Sequence, residues 1–144
     1  MVIETDVDVP VAFFYQRVIA SVLYDIKQAT GQDVPASKLQ GYSYGKSFGK
    51  NKSGRIVITK NILNKGYAFE TRTASGTYSV DYDIQETQAG TTHVVYNETS
   101  EFNSASQNAN QGIMAFVFGR RRKRQFKLMM DQIAASYRDG SVGA

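Results

Sequence analysis

Cysteine is absent from this chain of 144 residues. Disulfides, thiolate metal ligands and thiol nucleophiles are therefore excluded, a composition that suits a reducing cytoplasm. Histidine occurs once, at His93, so no metal motif built on two histidines can form and no Cys–His pair exists. No apolar run approaches the roughly 20 residues that a membrane-spanning helix needs. The greasiest stretch, IMAFVF at 113–118, is six residues long. The opening MVIETDVDVP is acidic and lacks the basic-then-apolar order of a secretion signal, which points to a soluble, cytoplasmic protein. Neither GxGxxG nor GxxxxGK[ST] is present. GKSFGKNKSG has the glycines and lysines of a phosphate loop without its strand–loop–helix setting, and reads as a hairpin turn. No cofactor or metal is expected, and no serine sits in a nucleophile elbow.

What the chain does contain is aromatic. Nine Tyr and eight Phe within a 42% apolar composition are those of a globular protein, and the length suits one domain, expected over residues 1–138 with a frayed tail at 139–144. Charge is segregated. Residues 120–127 hold six of the 17 basic residues and no acid, leaving 11 basic against 13 acidic residues elsewhere. From Lys38 to Lys65 there are seven basic residues and no acid, whereas Thr73 to Gly119 carries five acids and no Lys or Arg. Such blocks make a field for anions, or an ordinary solvated face.

Val2 to Asp8 alternates as a first strand. Asp8 and Pro10 then open a helix, in which Val11, Phe14, Val18, Val22 and Ile26 recur at helical spacing until Thr30-Gly31 stops it. LQGYSYGKSFG, RIVITKNIL, YAFETRT, TYSVDYDIQE and TTHVVYNETSEF follow as strands separated by short turns, the pattern of an antiparallel meander. In the clearest of them Tyr78, Val80, Tyr82 and Ile84 face one way and Ser79, Asp81 and Asp83 the other. NSASQNANQG is a polar connection, and the rest is a helix to about Tyr137. An antiparallel sheet must cover one apolar face, and this last helix is the available cover.

This order, opening with IETDVDVPVAFFYQRVI and closing with an amphipathic helix, resembles the START-like helix-grip superfamily (SRPBCC), which includes the birch-pollen allergen and polyketide-cyclase-like proteins. More narrowly, LYDIKQATG, LQGYSYGKSF and VVYNETSEF followed by RRRKR look like a bacterial family of unknown function, number 3284 in its series. The resemblance implies an α+β fold: a curved antiparallel sheet of about six strands gripping a long C-terminal helix, with one or two short helices after the first strand. It also implies an apolar cavity between sheet and helix. No catalytic motif transfers with it. The superfamily's usual pair of short helices has no visible break here, because neither Gly nor Pro divides Val11 from Thr30.

Within that frame Tyr42, Tyr44, Tyr78, Tyr82 and Tyr96 lie at alternating strand positions, where each ring fills core and each hydroxyl seeks a partner. As a set they suit a small hydrophobic or aromatic molecule. Glu98 shares a face with Val94, Tyr96 and Phe102: if that face is the inner one, it is an acid among rings; if the outer, it is solvated. His93 reads as an ordinary strand residue and Asp81 and Asp83 as solvated. On one helix over 112–137, Phe126, Met130, Ile133 and Tyr137 form a bulky seam, preceded by the small Gly112, Ala115 and Gly119, with Arg122 on its buried side as the one charge aimed inward. Ala115, Gly119 and Arg122 thus join the candidate ligand set, with Arg122 or Lys123 meeting an anionic group. The alternative is a peripheral module in which IMAFVF dips into an anionic membrane, or meets a partner or a second copy, beside RRRKR. Nucleic-acid binding is the weakest reading, since no recognition motif accompanies the basic run.

Overall fold

The computed structural model describes residues 1–49, 52–102 and 120–143, with side chains for 1–49, 53–102 and 123–139. Six strands form one antiparallel sheet: β1 (Val2–Val7), β2 (Ser43–Gly49), β3 (Lys52–Ile62), β4 (Gly66–Thr73), β5 (Gly76–Glu86) and β6 (Thr92–Phe102). Their order is β1-β6-β5-β4-β3-β2, a meander whose last strand takes up the first. A helix, α1 (Val11–Thr30), a short 3-10 turn (Ala36–Lys38) and a closing helix, α2 (Arg120–Gly143), complete the described chain.

The connection from β1 to β2 must cross from one edge of the sheet to the other. Six strands span about 24 Å at about 4.8 Å per gap, and a 20-residue helix is about 30 Å long. One unbroken α1 therefore bridges the sheet, in place of one or two short helices. Pro10 occupies the cap position just before the first turn, and the Phe14 N–H donates to its carbonyl at 3.0 Å. Gly31, at φ 74°, ends the helix in the left-handed conformation that a side chain disfavours. Phe14, Tyr15, Val18, Ile19 and Ile26 turn inward. The strand start differs from expectation at β3, which begins at Lys52 and absorbs part of the stretch read as a turn.

β3 contains the decisive irregularity. Ile58 pairs with Phe69 but Lys60 pairs with Ala68, so Thr59 is an extra residue and the alternation of faces resets there. Lys60 passes to the outer face, where its Nζ donates to Asp81 and Asp83 at 2.9 Å each. Burial pulls the Lys60 pKa down, but the two carboxylates outweigh it and hold it above the ordinary value. Asn61, now facing inward, accepts from the Tyr15 hydroxyl of α1 and donates to the Ala36 carbonyl at 3.0 Å. One inserted residue thus supplies both a strap on the outside and a tie to α1 within.

On the outer face of the other edge, His93 Nδ1 lies 2.6 Å from Asp6 Oδ1 across β1 and β6, and Nε2 lies 3.6 Å from Glu4 Oε2. The hydrogen bond to Asp6, outweighing some desolvation and aided by both charges, raises the His93 pKa above its ordinary value. The pair therefore stabilises the fold fully below the unfolded-state value of about 6.5. That contribution fades as pH rises through the folded-state value. Because the chain has one histidine, its ring proton should titrate unambiguously by NMR. A midpoint above about 6.5 is expected, shifting down in Asp6→Asn; an unmoved midpoint would remove Asp6 as the cause.

α2 packs along the seam expected from helical spacing: Phe126, Met130 and Ile133 are buried, and Tyr137 meets Phe13 of α1 edge-on at 4.9 Å between ring centroids. The helix continues to Gly143, through the segment read as a frayed tail. IMAFVF, Ala115 and Gly119 lie outside the described residues, as does the side chain of Arg122.

Candidate functional site

The register lines up a row of side chains across the inner face. Tyr67 of β4 pairs with Tyr82 of β5, and Tyr82 with Tyr96 of β6. Ring centroids are 6.5 Å apart for the first pair and 4.9 Å for the second. Phe126 of α2 settles over Tyr96 at 4.5 Å and over Tyr82 at 6.4 Å. Edge-on and tilted rings at these separations are the favoured aromatic arrangement, so the row is a stable wall as well as an apolar one.

Four of the five candidate tyrosines divide between two places. Tyr82 and Tyr96 belong to the wall. Tyr42 and Tyr44 lie at the β2 edge, 6.0 Å apart, where the Tyr44 hydroxyl donates to Asp25 of α1 at 2.5 Å and Lys46 pairs with the same carboxylate at 2.6 Å. Burial, then the Asp25 contact, raises the Tyr44 pKa far above the ordinary phenol value. That cluster is a strut holding α1 to the sheet edge. Tyr78, opposite Ser100 in the register, is part-buried against the core. Tyr67, absent from the sequence-derived set, is more buried than Tyr82, and burial raises its pKa as well.

The face that carries Glu98 is the inner one. Glu98 is 4% exposed and Tyr96 2%, and the Tyr96 hydroxyl donates to Glu98 Oε1. Residues two apart on a strand point the same way, which is why these two meet. His93, Asp81 and Asp83 lie on the opposite face, as the alternation requires.

Beside the wall, α1 and α2 stand apart. Arg17, Val18, Ser21 and Tyr24 form a stripe on α1, and Met129, Gln132, Ile133 and Ser136 one on α2. Spacings of three and four residues put each stripe on one helical face. Small side chains (Ala20, Ser21, Ser136) leave the middle open, and a cleft of about 410 Å³ remains, with Tyr82 reaching it from the sheet. That volume falls within the range of small-molecule sites, roughly 300–1,000 Å³. Among the described residues no three His, Cys, Asp or Glu side chains form a metal site, and no helix is long and apolar enough to cross a membrane. Lys123 and Arg124 project into solvent at the start of α2.

The profile of the domain of unknown function DUF3284 matches residues 1–119. The chain belongs to that family. Solved structures place this DUF3284 domain in the helix-grip fold. It is similar to protein MLL2253 from Mesorhizobium loti, with a TM-score of 0.62 at 16% identity over 94% of this chain and 96% of that one. A protein of unknown function from Staphylococcus aureus, SA2116, superposes with a TM-score of 0.60 at 12% identity, over 96% and 94% of the two chains. DynU16, a protein of the dynemicin biosynthetic locus, matches with a TM-score of 0.59 at 13% identity. This chain is covered to 97% there but spans only 47% of DynU16. No curated protein matches the chain. Identities this low carry the architecture alone.

Proposed function

We propose that this DUF3284 domain binds a small, flat aromatic or hydrophobic molecule in the cleft between α1 and α2. The supporting observation is the position of Tyr82, which belongs to the aromatic wall and also lines an open cleft of about 410 Å³. A ring entering between the helices meets Tyr82, Val18, Met129 and Ile133, and loses water against all four. A reaction is not part of the proposal.

A two-ring aromatic alcohol, 2-naphthylmethanol, tests it. At about −0.3 to −0.5 kcal/mol per heavy atom it should bind with Kd on the order of 0.1–1 mM by calorimetry. Ser21→Trp fills the cleft from an exposed position on α1 and should weaken binding at least about tenfold, the cost of a blocked apolar contact. Equal affinity in the filled variant would place the ligand elsewhere.

A further inference from the structure

The cleft has a chemical polarity that its apolar floor does not explain. Among the described residues lining it, Arg17 carries the sole charge; the other polar contributors are Ser21, Gln132, Ser136 and tyrosine hydroxyls. Arg17 is also held in place. Its guanidinium carbon lies 5.6 Å from the centroid of the Phe13 ring, one helical turn earlier, and Phe13 is braced by Tyr137 of α2. Its Nε donates to Ser136 Oγ on α2 at 3.3 Å. Two contacts on opposite helices thus fix the side chain across the mouth of the cleft. They use the ring face and the Nε edge. Among the described residues no carboxylate pairs with Arg17, and its two terminal nitrogens make no hydrogen bond.

A planar guanidinium, oriented in advance and with its terminal N–H groups uncommitted, matches the two oxygens of a carboxylate. We propose that Arg17 is an anion-recognition residue and that the cleft takes an aromatic carboxylate, ring against Tyr82 and Ile133, acid at Arg17. The assignment rests on the ligand cleft proposed above. It moves the expected anion contact from Arg122 or Lys123, at the start of α2, to the first helix. The signal in the sequence is slight but real: Arg17 is the sole basic residue before Lys27 and lies four residues after Phe13.

The test compares 2-naphthoate with 2-naphthylmethanol, which share a ring system and differ in charge. On the wild-type protein at low salt, the carboxylate should bind about tenfold tighter, as a charge-assisted pair at a partly solvated site allows. The ratio should shrink as salt is raised, because screening weakens an exposed pair. In Arg17→Gln it should fall to about one. Arg17 is exposed, so the variant should fold, which an unchanged thermal midpoint verifies. Equal binding of the two probes to wild type, or a preference that survives in Arg17→Gln, overturns the anion assignment while leaving the aromatic cleft standing. Failure of both probes to bind overturns the cleft as well.

Discussion

Phe126→Ala should cost the protein about 3–5 kcal/mol, the usual range for deleting a buried aromatic ring. With total stabilities of about 5–15 kcal/mol for domains of this kind, such a loss brings unfolding close to working temperature. The reason is positional. Phe126 is the residue by which α2 meets the tyrosine wall, touching both Tyr96 and Tyr82. Met130 and Ile133 sit one and two turns farther along and cannot swing into the vacated space without lifting the helix. Urea unfolding followed by circular dichroism gives the number directly. A loss below about 1 kcal/mol, within the range of surface changes plus a margin, would mean that α2 holds the sheet by its other contacts. Phe126→Leu, which keeps most of the volume, should recover much of the loss.

The second large effect is expected at Gly76, the first residue of β5, just after the turn from β4. Its φ of 152° is one that side-chain-bearing residues seldom adopt. A Cβ there would lie 2.2 Å from the Glu101 carbonyl oxygen and 2.7 Å from Phe102 Cα, both of them backbone atoms of the neighbouring strand. No rotamer change relieves that clash. Gly76→Ala should therefore destabilise by more than about 2 kcal/mol, combining backbone strain with displaced β6 pairing. Gly45→Ala is the matched control: it lies in β2 with ordinary φ and nothing within 4 Å of the added carbon. It should be neutral or slightly stabilising, by up to about 1 kcal/mol. Similar unfolding midpoints for the two variants would show that β6 yields at Gly76 without cost.

Much of this could be read from spacing alone. Helical periodicity picked out Phe126, Met130, Ile133 and Tyr137, because residues three and four apart share a face whatever lies opposite. Alternation paired Tyr78, Val80, Tyr82 and Ile84 for the same reason. Alternation could not say which face was inside, and Glu98 shows why: a period of two defines two faces, and a covering helix chooses between them. Thr59 shows a second kind of silence. Strict alternation sends Lys60 inward with Ile56 and Ile58, and nothing in RIVITKNIL marks the extra residue, since the bulge exists only in relation to Phe69 and Ala68 of the next strand. Arg17 carries little signal in the sequence, because a lone cation on a helix usually just meets water. Its place is legible once α2 supplies Ser136 and braces Phe13. The tyrosines, taken as one set, separate for a comparable reason: Asp25, an intermediate position on α1, draws Tyr44 into a strut at the sheet edge.

The pairing of β1 with β6 has a consequence for the order of events during folding. Val2 lies opposite Asn97, and the terminal ammonium of Met1 donates a hydrogen bond to the Glu98 carbonyl at 2.7 Å. β1 thus waits for a partner strand almost a hundred residues later. On a ribosome, β1 and the apolar side of α1 emerge long before the surfaces that shelter them, while the β2 to β5 hairpins can close locally in turn. Joining the ends closes a loop of nearly the whole sheet, a costly step that local contacts cannot hasten. Assembly of the grip should therefore be the slow stage, and β1 the strand of this sheet that stays longest without its partner.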